Sequence, residues 1–298
     1  MVRLDIPSRL QWDHDNGFCG ETAIQSIGLY YGAWLSQKLV RTINQGEYLM
    51  QRVSDDDCRD PLRTLSILHF TYDEWDWKNS PEPQFRSFCY WMKKSILHRH
   101  PVIFGVCLES SSGFETYDHI VPAVGIRYRN EDEYDPNDEL IYYDLFSRDE
   151  MKRHMNEEEF GSTTTIMCEK DYAEYGCIPL NINYGIAITG IVDEDRVTLP
   201  IQLSVSSYEE PNVDFDEEPI EMIGIVQITD LIVGNVYILL RYSSYEHVPT
   251  KGDANIFLQS KFDAKHQFTA HQTTYTYKDA KSIFSTDCVY YRCIQKTD

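Results

Sequence analysis

Cys19 lies in the stretch QWDHDNGFCGETAIQSIGLYYG, residues 11–32, where a polar, turn-forming segment runs into an amphipathic helical pattern. Asn16 and Gly17 favour a turn. Ala23, Ile27 and Tyr30 or Tyr31 then recur at helical spacing, which predicts Cys19 at a helix N-terminus. Backbone N–H groups and the macrodipole stabilise an anion there, so the setting favours a thiolate. Gly20 puts no side chain over the sulfur and leaves it approachable. Thiol chemistry also needs a base to take the proton and a group that orients the base. DHIVPAVGI offers His119 at the head of an apolar strand, and IYYD offers Asp144 at the end of the next. A hairpin centred in the acidic segment between them predicts His119 directly beside Asp144. Gln11 offers a side-chain amide that would join the Cys19 N–H in donating to an oxyanion. Each residue also fits a plainer role: Cys19 as a small buried hydrophobe, His119 as a satisfied core or edge histidine, Gln11 as a surface glutamine.

Positioning these groups falls to helical patterns at 19–35, 36–52 and 82–99. In the last of these, Phe85, Phe88, Trp91, Met92 and Ile96 recur on one face. Strand-like runs follow at 101–108, 119–128 and 140–146, and Pro122 predicts an edge or a bulge within the second. The texture changes near residue 190. All five tryptophans (12, 34, 75, 77 and 91) precede the change. From about 197 the runs VTLPIQLSVSS, IEMIGIVQIT, NVYILLRYSS, ANIFLQSKF, QFTAHQTTYTY and CVYYRCI predict short strands and a sandwich. Two domains are expected, residues 1–192 and 193–298.

IPSRLQWDHDNGFCGETAIQSIGLYYG, followed by DHIVPAVGI and IYYD, resembles the papain-like cysteine peptidases. It is most similar to the bacteriocin-processing (double-glycine leader) peptidase-like branch. The resemblance implies an α+β papain-like domain, its N-terminal helix packed on an antiparallel sheet, followed here by an all-β sandwich. It also implies Cys19 as nucleophile, His119 as base, Asp144 as orienter, Gln11 as oxyanion donor, and a peptide or protein substrate. The family usually carries a small residue or Pro after Cys-Gly. This chain has Glu21, expected to face away from the thiol because i and i+2 diverge on a helix. Transglutaminase-like and phytochelatin-synthase-like acyl transfer share the Cys-His-Asp order, and a catalytically silent scaffold that binds a partner would carry the same residues. In ITDLIVGNVYILLRY (228–242), Leu231, Gly234 and Tyr237 resemble the tyrosine corner of fibronectin type III or immunoglobulin-like modules. The cysteine and tryptophan landmarks of antibody domains are missing from the sequence, which favours the fibronectin-like form.

Composition narrows the partners. Lys plus Arg is 27 against 48 Asp plus Glu, a formal charge of -21, which disfavours phosphate-backbone and anionic-membrane binding. Charged or polar residues interrupt every apolar run well short of a membrane span, and MVRLDIPSRLQW has no apolar leader core. Eight cysteines without a CxxC pair fit reduced thiols and predict a cytoplasmic location. Cys288 and Cys293, five apart in a strand-like run, point to opposite faces and are not expected to bridge. The acidic stretches NEDEYDPNDE (130–139) and DFDEE (214–218) read as solvated loops without EF-hand spacing, and GVCLESSSGF lacks the ending of a phosphate loop. No cofactor and no metal are expected.

Overall fold

The chain opens with strand β1 (Val2–Arg3), helix α1 (Cys19–Tyr30), strand β2 (Ala33–Leu35) and helices α2 (Gln37–Ile43) and α3 (Pro61–Ile67). Next come β3 (Phe70–Glu74), α4 (Phe85–Leu97), β4 (Val102–Val106), β5 (His119–Arg127), β6 (Glu139–Tyr143) and β7 (Glu150–His154). Two short strands, β8 (Gly161–Ser162) and β9 (Ile178–Pro179), precede β10 (Gly185–Ile191). The remainder holds β11 (Ile201–Ser206), β12 (Ile223–Ile228), β13 (Val236–Tyr242), α5 (Ala254–Gln259), β14 (Ala264–Thr269), β15 (Tyr275–Lys278) and β16 (Cys288–Gln295). The computed structural model describes residues 1–12, 17–47, 49, 60–106, 119–147, 149–158, 161–162, 178–180, 184–206, 223–279, 281 and 286–296. DFDEE lies outside them, as does most of GVCLESSSGF. The fold mixes α and β, and its three larger sheets are antiparallel.

Two compact units divide the chain. Met1–Ile27, Val40–Ser66 and Phe70–Gly190 form the first, and Gly28–Leu39, Ile67–His69 and Ile191–Asp298 the second. In the first, the strand order is β3-β10-β4-β5-β6-β7, with β1 also on β5. Pro122 therefore lies in an interior strand rather than at an edge. The register slips between Ala123, which pairs with Tyr142, and Gly125, which pairs with Ile141. That bulge beside Pro122 accommodates a residue that has no N–H to give a ladder.

Helix α4 buries Phe85, Phe88, Met92 and Ile96, while Trp91 stays partly exposed. It is shorter than the 82–99 pattern: the Gln84 and Phe85 N–H groups turn to the Leu180 carbonyl, each at 3.0 Å, and Arg99 takes φ 67 past its end. Gly185 of β10 is required at this contact: a Cβ there would lie 2.6 Å from the Phe88 ring. Lys93 on the same helix is buried and pairs with Asp138 at 2.5 Å, also donating to the Glu133 carbonyl at 2.8 Å. Asp138 accepts from the Arg129 N–H as well, so the otherwise exposed 130–139 loop is tied down by one fully paired buried charge. Helix α2 ends well before residue 52, in a turn where Gln45 and Gly46 take φ 61 and φ 84.

In the second unit, β11-β12-β15 and β14-β13-β16-β2 share one core of Trp34, Leu203, Val226, Tyr237, Phe268 and Tyr291 with their neighbours. Strand β2 pairs along β16, Leu35 opposite Cys288 and Ala33 opposite Tyr290, so this stretch of the expected first domain belongs to the later sheet. Residues 67–69 join the same unit: Tyr290 donates to the Leu68 carbonyl at 2.8 Å, and Val192 N–H to that of His69 at 2.7 Å. The expected strand ANIFLQSKF is instead helix α5. The Asp253 carboxylate caps it, accepting from Asn255 N–H at 2.9 Å and Ile256 N–H at 3.2 Å. At the start of β13, Tyr237 Oη accepts the Ile232 N–H at 2.9 Å, the side-chain-to-upstream-backbone closure that the tyrosine-corner resemblance implies. Cys288 and Cys293 are unbridged.

Candidate active site

Cys19 is the first residue of α1, as its spacing predicts. The helix is not amphipathic, however: every residue from Cys19 to Leu29 is buried. Two of its polar side chains are matched locally, while Ser26 Oγ has no hydrogen-bond partner among the described residues. Thr22 Oγ1 donates to the Phe18 carbonyl at 2.7 Å, and Gln25 accepts from Arg9 at 3.3 Å. Glu21 faces inward, contrary to expectation. It is fully buried because Arg41 of α2 meets its Oε1 at 2.6 Å. Nor is the space above Gly20 open. Leu49 fills it, and a Cβ on Gly20 would lie 2.8 Å from both the Leu49 side chain and its carbonyl oxygen.

The sulfur accepts a hydrogen bond from Ile120 N–H at 3.3 Å. This seats the thiol, 7% exposed, against β5 one residue past His119. His119 begins β5 opposite Val106 of β4 and is itself buried. Asp144 follows the last residue of β6, and its Oδ1 lies 4.0 Å from His119 Nε2, close enough for an ion pair but too long for a hydrogen bond. Direct opposition of His119 and Asp144 does not occur. The β5–β6 ladder ends with Ala123 opposite Tyr142, short of His119, and it is the ring of Phe146 that stacks on the imidazole with centroids 4.6 Å apart. Phe146, two residues beyond Asp144 in the turn that follows β6, is the contact that motif reading passed over.

Asp144 is held by its own turn. Oδ1 accepts Phe146 N–H at 3.1 Å, Oδ2 accepts the Ser147 hydroxyl at 2.8 Å, and Asp144 N–H donates to the Asp149 carbonyl at 2.8 Å. Gln11 enters the group through backbone, its N–H donating to the Leu145 carbonyl at 2.8 Å. Its side chain is buried rather than on the surface, and Oε1 has no hydrogen-bond partner among the described residues. The same holds for His119 Nε2 and Glu21 Oε2. All four expected residues thus occur in one neighbourhood of the first unit. Sulfur meets β5, imidazole meets carboxylate, and glutamine meets the carboxylate's turn.

Electrostatics set the resting protonation. Burial pushes the Cys19 thiol up to about 12. The N–H groups of Ile120, Gly20 and Cys19 itself pull the other way, and the Glu21 charge adds to the rise. The expected help from the helix mouth is present, but desolvation outweighs it. Burial also lowers His119 to about 4, against a weaker upward pull from Asp144. At neutral pH both groups are uncharged.

Among the described residues, no group of three or more His, Cys, Asp or Glu could hold a metal ion. None of the helices there is long and apolar enough to cross a membrane. No family model matches the chain, and no curated protein or solved structure matches it either.

Proposed function

We propose that the chain is a papain-like cysteine hydrolase that cleaves a peptide or isopeptide bond through a thioester on Cys19. The observation that carries this reading is the 3.3 Å contact seating the sulfur on the backbone next to His119. The nearby Asp144 carboxylate supports it. In the reaction His119 accepts the thiol proton while the sulfur electron pair attacks the scissile carbonyl carbon. The Cys19 N–H and the Gln11 amide donate to the oxyanion. The imidazolium then gives its proton to the leaving amine as the C–N bond breaks. Water, losing a proton to His119, attacks the thioester and releases the acid, and that proton returns to the thiolate. Asp144 orients the imidazole and stabilises its charge. Since thiol and imidazole are both neutral at rest, this proton transfer belongs to the substrate complex.

A second reading, a catalytically silent scaffold, is favoured by one observation: the thiol is buried and held far above the ordinary cysteine range. One experiment separates the two. Cys19→Ala is expected to abolish hydrolysis of a mixed peptide library and covalent capture of an electrophilic thiol probe at this position. Turnover unchanged in that variant would reject the nucleophile. Wild type that cleaves nothing and labels no faster than free cysteine would favour the scaffold.

For the second unit we propose an accessory sandwich of the immunoglobulin-like or fibronectin-like kind. In such modules the tyrosine corner leads into a strand flanked by its hairpin successor and by the strand homologous to C, while the preceding strand sits between two others in the facing sheet. Here β13 follows the corner and lies between β14 and β16, and β12 lies between β11 and β15. The neighbours agree, with the chain order rotated so that β2 comes first.

A further inference from the structure

Among the described residues, Arg41 of α2 contacts Glu21, Gly17 and Phe18 at the entrance to α1. Its Nε meets Glu21 Oε1 at 2.6 Å, a terminal nitrogen donates to the Gly17 carbonyl at 2.8 Å, and the guanidinium lies 4.0 Å from the Phe18 ring centroid. Gly17 takes φ 57, a backbone conformation that side-chain-bearing residues rarely adopt, and its carbonyl is turned towards Arg41. Phe18 is the residue before the sulfur, and its ring also packs against Trp12 at 5.5 Å. The pair therefore grips both residues that lead into Cys19. At the same time it leaves Glu21 Oε2 buried, with no hydrogen-bond partner among the described residues.

We propose that Glu21 and Arg41 are a positioning pair for Cys19, in which Arg41 fixes the turn that presents the sulfur and the Glu21 carboxylate opposes negative charge on it. This deepens the hydrolase reading and rests on it for the use of the thiol, though not for the thiol's ionisation. Other groups bear on the same sulfur. His119 approaches from β5 with Asp144 behind it. Tyr184, buried just before β10, is coupled electrostatically to both Cys19 and Glu21. Of these, Glu21 is the carboxylate nearest in sequence and one that solvent does not screen. The consequence is a nucleophile that stays a thiol at rest, in place but not charged.

The test is the pH profile of Cys19 alkylation by iodoacetamide on the full chain, with the modified peptide identified by mass and Cys19→Ala as the blank. Glu21→Gln keeps the volume and the acceptor for Arg41 while removing the charge. It is expected to lower the midpoint and to speed alkylation at pH 8 about tenfold. Glu21→Asp, which keeps the charge, should retain the slow wild-type profile. Arg41→Met removes the cation that keeps the buried Glu21 carboxyl ionised, so Glu21 takes up a proton and the midpoint should fall as it does in Glu21→Gln. A folded Glu21→Gln protein with the wild-type midpoint overturns the proposal, as does a folded Arg41→Met protein whose profile matches wild type. A wild-type chain that hydrolyses nothing, combined with an intact Glu21→Gln shift, would remove the hydrolase reading and leave the pair's role standing.

Discussion

Around Asp279 in the second unit, the buried polar atoms are matched. Oδ2 accepts from Arg241 Nε at 2.7 Å and from the Tyr291 hydroxyl at 2.5 Å, Oδ1 accepts Lys281 N–H at 3.0 Å, and Arg241 also donates to Ser243 at 2.7 Å. Around Cys19 in the first unit, Gln11 Oε1, Glu21 Oε2 and His119 Nε2 are equally buried, yet none has a hydrogen-bond partner among the described residues. An unmatched buried polar atom costs about 1–3 kcal/mol, so folded chains carry few of them. The first cluster specifies packing. In the second, three side chains that the proposed reaction employs or tunes each keep one buried polar atom unmatched among the described residues, as Arg292 does in the second unit.

The contrast can be broken most forcefully at Asp279. Asp279→Ala leaves the Arg241 charge buried without its close carboxylate. It is expected to cost about 3–5 kcal/mol in urea unfolding. A loss below 1 kcal/mol would place this cluster in the same class as the other. Acid titration sharpens the other side. His119 sits near 4 in the folded chain against 6.5 for an exposed imidazole, so between these values the unfolded chain binds the extra proton. Stability from this group is complete above pH 6.5 and declines as pH falls towards 4, by about 3 kcal/mol in all. Urea midpoints at pH 7, 5.5 and 4.5 should show that slope in wild type and a flatter one in His119→Gln. The smallest effect belongs to the tyrosine corner. Tyr237→Phe removes the acceptor for Ile232 N–H and should cost about 1 kcal/mol, read as a modest fall in Tm.

Features decided within a few residues were legible in the sequence. The start of α1 at Cys19 and the strands holding His119 and preceding Asp144 follow from local spacing, and the Tyr237 closure from the resemblance of a short local motif. Features decided at a distance were not. The inward turn of Glu21 depends on Arg41, twenty residues on, and the apolar-looking ANIFLQ turned helical through one capping carboxylate. The β5–β6 register, with Arg127 opposite Glu139 at its loop end, is offset from the one that would set Asp144 opposite His119, and no hydrophobic count reports such an offset. The assignment of Trp34 to the later core is a pairing across most of the chain, which periodicity cannot encode.

That last pairing bears on how the protein is made. Leu35 and Cys288 are neighbours in the sheet but roughly 250 residues apart along the chain, so the early strand leaves the ribosome long before its partner exists. Strands β4 to β7, by contrast, contain all their mutual partners within one stretch of the chain. Synthesis can finish that sheet first, while β2 waits for the last strand to arrive and is exposed meanwhile to chaperones and to mispairing.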